Sequence, residues 1–299
     1  MFNTIVVGVD GREGGRDAIA LASRLALVAG GELVAVRVIP FDYYATRAGS
    51  PPYASLAEHD AKRELENELS AGGVTARVRV LGDTSPARAL HRVAEEERAD
   101  VIVVGSTHHG RVGRVLAGDD AVGTVHASPV PVAIAPHGLA AEKWEPVQRI
   151  GIGYDTRPEA RQAFELALAL ARDFGASLKV RSVVAAEASV VDFTSYDEAW
   201  IERAKEHAVT ELDAILDGVD VEASGEVVSG SAVERLVELS ADVDLLVVGS
   251  RAWGPVRRIV LGSTAAALAR DAHCALLVLP RGVATGEPGE REPERAASA

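Results

Sequence analysis

Residues 247–264 read VVGSRAWGPVRRIVLGST, and these residues give the clearest indication of how the chain is organised. The apolar run that leads into it stops at Gly249, as a buried parallel strand stops at a tight turn. A loop follows, and Gly262, Ser263 and Thr264 then open an alanine-rich segment that we expect to be helical. Glycines, exposed backbone N–H groups and a helix N-terminus beyond a parallel strand are typical of a phosphate-binding site.

The chain contains a second copy of this arrangement. The stretch IVVGVD at 5–10 aligns with IGIGYD at 150–155, and each leads into apolar residues at helical spacing. Further strand-like segments follow in the same order in each half, at 33–39, 78–82, 100–105 and 130–136 in the first and at 178–184, 226–230, 244–249 and 274–280 in the second. Strands that alternate with helices predict an α/β fold of two tandem doubly wound, Rossmann-like domains, each a five-stranded, mainly parallel sheet with helices on both faces. Ligands of such sheets bind beyond the carboxyl ends of the strands.

Composition shifts suggest the domain boundaries. We expect a first domain over residues 1–138 and a second over residues 148–281, separated by a short polar segment. Residues 282–299 are rich in Gly, Pro, Glu and Ala without periodicity, which predicts a disordered tail. Residues 41–56, with their glycine and two prolines, are expected to form a long connection.

Overall composition narrows the classes of partner. The chain has 299 residues, a formal net charge of -13 and 4% aromatic residues, which argues against nucleic-acid binding through a basic surface or a stacking platform. A single cysteine, Cys274, excludes a disulfide framework. No charged-then-apolar leader is recognised, and no apolar run approaches the roughly 18 residues of a membrane span. We therefore expect a soluble cytoplasmic protein that binds neither nucleic acid nor membrane.

Several familiar site motifs do not fit. Pro255 and Val256 stand where a P-loop needs Lys and Ser or Thr, so P-loop hydrolysis is not expected. The dinucleotide glycine pattern does not follow the first strand of either half. His108 and His109 are adjacent and would face different ways, so we expect no metal site there, and no residue stands out as catalytic.

The order of strands, together with the loop, resembles the universal stress protein family in its tandem, UspA-type form, over nearly the whole chain. The ATP-binding branch of that family carries Gly-x-x-Gly, then nine residues, then Gly-Ser/Thr after the fourth strand. Here Gly249-Ser-Arg-Ala252, nine residues and Gly262-Ser263 fit this motif with one departure, because Ala252 stands at the second glycine. If that position requires a positive φ, alanine costs about 1 kcal/mol relative to glycine.

The resemblance implies a role for each matching residue of the second half. Asp155 would contact adenine or ribose, and the backbone of Val183 would contact the edge of adenine. In the loop, backbone N–H groups would bind the phosphates at Gly249, Arg251 and Ala252. At the start of the helix, the phosphates would be bound by Gly262, Ser263 and Thr264. This fits the chemistry of the side chains, since a carboxylate accepts from hydroxyl or amino groups and hydroxyl groups donate to phosphate oxygens.

The first half matches the motif less well. The equivalent residues are Asp10, Val38, Gly105, His108 and Gly118, with His108 at the second glycine. Asp119 replaces Ser263, and an aspartate caps a helix as well as a serine does. A carboxylate about 4 Å from a phosphate charge nevertheless costs about 4 kcal/mol at an effective dielectric constant of about 20. We therefore expect weak binding or none in this half.

Each of these residues also has a purely structural interpretation. Asp155 could cap the helix that follows it, and Ser263 is a good helix N-cap with or without a phosphate. Arg257 and Arg258 could be surface charges, and Trp253 could cover the site or pack against the other domain.

By the resemblance, we expect a stress-response protein that binds ATP, with Mg²⁺, as a regulatory ligand, mainly in the C-terminal domain. Two alternatives stay open, a slow ATPase or nucleotidyl transferase using the same pocket, and an interaction module that binds no nucleotide. The resemblance also implies that the two domains pack through their fifth strands as an internal pseudo-dimer. Pairing of two whole chains into a homodimer is compatible with it but does not follow from the sequence.

Overall fold

Within the part of the chain that the structure describes, ten strands form one continuous sheet that passes through both halves. The computed structural model describes residues 2–40, 51–107, 112–185, 198–249 and 262–279. The strands of the N-terminal half are β1 (Thr4–Gly8), β2 (Glu32–Ile39), β3 (Arg77–Gly82), β4 (Val101–Gly105) and β5 (Val132–Ala135). Those of the C-terminal half are β6 (Arg149–Tyr154), β7 (Ser177–Val184), β8 (Ala223–Ser229), β9 (Leu245–Gly249) and β10 (Ala275–Leu279).

Helices connect these strands in the order that the repeat predicts. In the N-terminal half they are α1 (Glu13–Ala29), α2 (Pro51–Ala71), α3 (Pro86–Glu97) and α4 (Asp119–Val125). In the C-terminal half they are α5 (Pro158–Phe174), α6 (Glu198–Leu216), α7 (Ala232–Ser240) and α8 (Ser263–Asp271). A short 3-10 helix, Leu139–Ala141, lies in the connection between the halves.

The strand order is the same in each half when read from the outer edge to the centre. It runs β3-β2-β1-β4-β5-β10-β9-β6-β7-β8, and neighbouring strands within each half are parallel. The two halves meet where β5 and β10 pair in antiparallel register, with Ala133 opposite Leu277. Because the direction of the strands reverses there, the carboxyl edge of one half continues into the amino edge of the other.

Apolar side chains cover both faces of the sheet, as expected for buried parallel strands. Alternate residues of one strand point to opposite faces, so Val7 joins the cluster covered by α1, α2, α5 and α6, and Val6 joins the one covered by α3, α4, α7 and α8. Both clusters extend across the β5–β10 junction. The predicted fold class is therefore confirmed, an α/β fold with a mainly parallel sheet and helices on both faces.

One expectation is wrong in part. The long connection predicted over residues 41–56 ends earlier, because α2 begins at Pro51. Proline is favoured in the first turn of a helix, where its missing N–H would have no partner in any case. Residues 41–50 and the tail predicted over 282–299 lie outside the described residues.

Candidate functional site

Each half has a cavity at the carboxyl ends of its parallel strands, and the two cavities occupy equivalent places. The cavity of the C-terminal half measures about 380 Å³ and lies between the ends of β6, β7 and β9 and the starts of α5, α7 and α8. The cavity of the N-terminal half measures about 130 Å³ and lies between the corresponding elements. Pockets for drug-sized ligands usually have volumes of about 300–1,000 Å³, so only the C-terminal cavity reaches that range.

Most of the residues predicted for the C-terminal half line the larger cavity. They share positions at strand ends or in the first turn of α8, and they are Asp155, Val183, Gly249, Gly262 and Thr264. Ser263 is exposed in the same first turn. Arg251 and Ala252, with Trp253, Arg257 and Arg258, lie outside the described residues.

Of the residues predicted for the N-terminal half, some also line a cavity and others do not. Asp10, Val38 and Gly105 line the smaller cavity. Gly118 is the residue before α4, and a Cβ atom there would lie 2.6 Å from Cγ2 of Thr107. The start of α4 is therefore packed tightly against the residues that follow β4. His108 lies outside the described residues.

The glycine that ends the fourth strand of each half is required by close packing. A Cβ atom on Gly105 would lie 1.9 Å from the carbonyl oxygen of Gly14, and one on Gly249 would lie 2.9 Å from that of Glu159. These carbonyl groups belong to the first turns of α1 and α5. The two glycines thus allow a helix to approach the strand end, which is a structural role independent of any ligand.

The two aspartates make the same local hydrogen bond. Oδ1 of Asp10 accepts from the backbone N–H of Arg12 at 3.0 Å, and Oδ1 of Asp155 accepts from that of Arg157 at 3.2 Å. Each aspartate is therefore bonded to the residue that precedes a helix. Arg157, not Asp155, is the N-cap of α5, so the capping interpretation of Asp155 is wrong. The Asp155 side chain is 49% exposed, and its carboxylate keeps room to accept from a ligand.

The N-caps of α4 and α8 differ from the expectation. Gly118 and Gly262 are the N-cap residues, both with extended backbone and without a capping side chain. Asp119 and Ser263 are instead the first residues of their helices. The predicted capping roles of these two side chains are therefore wrong, since the glycines' backbones take that position.

The first turns of α4 and α8 carry different charge. Asp119 and Asp120 are acidic residues in the first turn of α4, whereas the first turn of α8 contains no acidic residue. Asp120 lines the N-terminal cavity at the place where Thr264 lines the C-terminal one. The N-terminal cavity is therefore both smaller and more negative at the end where a phosphate would lie.

Arg181 on β7 is a cavity residue that the sequence reasoning missed. Its side chain is only 11% exposed, its Nε donates to Oε1 of Glu226 at 2.6 Å, and one terminal nitrogen donates to the carbonyl oxygen of Arg235 at 2.6 Å. In the N-terminal half the same register position is held by Val36, an apolar residue. The available signal was an arginine at a position of β7 where the matching strand of the first half carries an apolar residue.

Tyr154 is a second residue that was missed. It lines the C-terminal cavity, is buried, and contacts Phe164 edge-on with ring centroids 6.1 Å apart. Its hydroxyl group is buried and has no hydrogen-bond partner within the part of the chain that the structure describes. Tyrosine hydroxyl groups usually find a partner when buried, so this one has hydrogen-bonding capacity left.

Other site types find little support among the described residues. No three or more His, Cys, Asp or Glu side chains there form a group that could hold a metal ion. Cys274 is a free, buried thiol whose pKa is raised by burial, which keeps it protonated and unreactive. No helix within the described ranges combines the length and apolar character needed to cross a membrane.

Comparison with known proteins gives the same family twice along the chain. The model of the universal stress protein family matches residues 1–136 and again residues 146–280. A universal stress protein of Mycobacterium bovis is 29% identical over 93% of this chain and 99% of its own length.

Solved structures agree on the fold. The crystal structure of a universal stress protein from Archaeoglobus fulgidus has a TM-score of 0.65 at 21% identity, and the match covers 94% of this chain and all of that one. A universal stress protein in complex with cAMP matches 46% of this chain at 25% identity with a TM-score of 0.33. That likeness is too limited to carry an argument about binding here.

Proposed function

The chain belongs to the universal stress protein family, and from that premise we propose that it binds ATP, together with Mg²⁺, as a regulatory ligand in the C-terminal cavity. The observation that carries the proposal is the cavity of about 380 Å³ whose wall contains Asp155, Val183, Gly249, Gly262 and Thr264. These residues come from separate segments of the chain, and the fold brings them to one edge of the sheet.

The lining suits a nucleotide from end to end. Asp155 offers carboxylate oxygens to ribose hydroxyl or base amino groups, and Val183 offers its backbone to the edge of the base. At the opposite end, the N-cap of α8 is Gly262, which has no capping side chain, so the N–H groups of the first turn of α8 can donate to phosphate oxygens. The hydroxyl group of Thr264 adds a neutral donor in that turn, and Mg²⁺ would arrive bound to the phosphates.

We propose in addition that binding is asymmetric, with the N-terminal cavity binding ATP weakly or not at all. Its volume is about 130 Å³, and Asp120 takes the place of Thr264 in its wall. The end of this cavity that contains Asp10 and Val38 resembles the end of the larger cavity that contains Asp155 and Val183. A small volume and a negative charge both disfavour a triphosphate.

Isothermal titration calorimetry with Mg·ATP on the full chain tests both parts. One tight site per chain is expected, with a second site absent or much weaker. Two equal tight sites would contradict the asymmetry, and the absence of any binding heat or thermal shift would contradict the proposed function. Release of phosphate or pyrophosphate well above trace rates would show instead an enzyme that uses the same pocket. Mass spectrometry of ligand released from freshly purified protein identifies the nucleotide independently.

The proposal also covers the setting of the protein. We place it in the cytoplasm, where ATP is abundant and where the free thiol of Cys274 stays reduced. We further propose that residues 1–138 and 148–281 act as the two domains of an internal pseudo-dimer joined through β5 and β10.

A further inference from the structure

Residues 113–117 of the N-terminal half, here called the clamp segment, contact the C-terminal half through its last helix. The backbone N–H of Val115 donates to the carbonyl oxygen of Ala272, and that of Ala117 donates to the carbonyl oxygen of Ala269, both at 2.7 Å. Ala269 lies in the last turn of α8, and Ala272 is its C-cap. The last carbonyl groups of a helix have no partner within the helix, so the other half of the chain supplies partners for two of them.

The clamp segment is itself firmly held. Oγ of Ser106 donates to the carbonyl oxygen of Ala135 at 2.6 Å and accepts from the N–H of Leu116 at 3.2 Å. The carbonyl oxygen of Leu116 accepts from the N–H of Thr107 at 2.8 Å. Val115 is completely buried. The segment is thus fixed to the ends of β4 and β5 on one side and to α8 on the other.

The opposite end of α8 forms part of the candidate nucleotide site. Gly262, Thr264 and Ala265, at the N-terminal end of α8, line the C-terminal cavity, and the whole helix has only 9 residues. An isolated helix shorter than about 12 residues is marginal in water, so α8 depends on contacts at its ends and along its packed face. Contacts at the C-terminal end of α8 therefore affect how well ordered its first turn is, and this turn faces the cavity.

We propose that the clamp segment is a positioning element, which holds α8 in place so that nucleotide affinity in the C-terminal cavity depends on backbone groups of the N-terminal half. The effect on affinity rests on the proposed function, whereas the effect on α8 does not. The clamp segment runs directly into Gly118 and α4, whose residue Asp120 lines the other cavity. The covalent chain from Asp120 to the clamp segment and the hydrogen bonds from the clamp segment to α8 therefore connect the walls of the two cavities.

Thermodynamic reciprocity gives the proposal a second consequence. If the clamp segment favours nucleotide binding through α8, then bound nucleotide must stabilise the contact between them by the same factor. Addition of Mg·ATP to the wild-type chain should therefore slow hydrogen exchange at the amides of Val115 and Ala117.

The test compares Ala117→Pro with Ala117→Ser. Proline removes the N–H that bonds to Ala269, whereas serine keeps it and serves as the conservative control. Without nucleotide, we expect peptides from residues 263–271 to exchange about fivefold faster in the proline variant than in the serine variant. With Mg·ATP, we expect about fivefold weaker affinity in calorimetry, the effect of losing one hydrogen bond of about 1 kcal/mol.

The outcomes separate the two proposals. Equal exchange of α8 in the proline and serine variants overturns the clamp, whatever the nucleotide does. Faster exchange with unchanged affinity also overturns the positioning role. If the wild-type chain binds no Mg·ATP, the proposed function fails, while the exchange comparison still decides whether the clamp segment holds α8.

A second variant protects the test against a folding failure of Ala117→Pro. Ser106→Ala removes the hydroxyl group that anchors the clamp segment but leaves both N–H donors to α8 in place. Faster exchange of α8 by about twofold or more supports the proposal, since a loosened anchor should weaken the contact by part of one hydrogen bond. Exchange equal to that of the wild type counts against it.

Discussion

Replacing Thr264 by aspartate should abolish tight ATP binding without harming the fold. The substitution gives the C-terminal cavity the side chain that Asp120 places in the N-terminal one. Thr264 is partly buried in the cavity wall, so water would screen its new charge less than a charge at a fully exposed position. Thr264→Val is the matched control, because it removes the hydroxyl group without adding charge.

The expected magnitude follows from the position of the residue. One carboxylate about 4 Å from one phosphate charge costs about 4 kcal/mol at an effective dielectric constant of about 20, or nearly a thousandfold in affinity. Ser263 is exposed in the same turn. There the dielectric constant approaches that of water, so Ser263→Asp should cost only about 1 kcal/mol, or about fivefold. The loss of affinity should therefore be large for Thr264→Asp and small for Ser263→Asp, with Thr264→Val as the uncharged control.

The thermal stability of the protein without nucleotide should not fall when the charge is added, although ATP affinity does. An acidic residue in the first turn of a helix is favourable by about 0.3–1 kcal/mol, so the Tm of Thr264→Asp without nucleotide should equal or exceed that of Thr264→Val. Calorimetry with Mg·ATP and with adenosine completes the assay, because adenosine has no phosphate to repel. The reasoning is refuted if Thr264→Asp and Thr264→Val bind Mg·ATP equally well, or if adenosine binding falls as much as ATP binding.

Three other predictions concern Asp155 in the wall of the C-terminal cavity, Gly105 at the end of β4, and the dependence of stability on pH. Asp155→Asn removes a charged acceptor whose hydrogen bond is worth about 1.5–3 kcal/mol, so the Kd for Mg·ATP should rise about tenfold or more in calorimetry, and an unchanged Kd would contradict this role. Gly105→Ala forces a methyl group to 1.9 Å from a carbonyl oxygen of α1, so urea unfolding should show a larger loss of unfolding free energy than Gly72→Ala, where the added group would meet nothing closer than 3.6 Å; equal losses would disprove the packing argument. The hydrogen bond from Arg88 lowers the pKa of Asp83, and the stabilisation is present above the unfolded pKa of about 3.9 and is lost as the pH falls through the lower folded value. The stability difference between the wild type and Asp83→Asn should therefore be constant near neutral pH and shrink progressively below about pH 3.9, and a difference that does not shrink as the pH falls below that value would show that another interaction is responsible.

The interior of the fold could be read from the sequence because inner parallel strands leave a strong signal. Residues 245–248 are a continuous apolar run, and all four are buried on both sides of β9. Edge strands leave a weaker signal, since they bury less. Strand β8 was expected over residues 226–230 but runs Ala223–Ser229, and its first residues are small or polar and mostly exposed.

The candidate site was predictable at its backbone positions and less so at its side chains. Strand ends and helix starts follow from the repeat, which placed Asp155, Val183 and Thr264 beside one cavity. The contacts of Arg181 depend on Glu226, which lies 45 residues away along the chain, and no local pattern reveals such a pair. The hydrogen bonds of the clamp segment use backbone groups alone, which every residue type except proline provides, so no sequence motif could mark them.

The antiparallel junction between β5 and β10 has an evolutionary consequence. When a sheet of this kind is assembled from two identical chains, each mutation appears twice, and both binding sites change together. Here one chain carries both copies, so the cavity of one half can carry Asp120 while the equivalent position of the other half remains Thr264. The covalent link thus lets the two cavities diverge in sequence, while the ten-stranded sheet of the described residues is preserved.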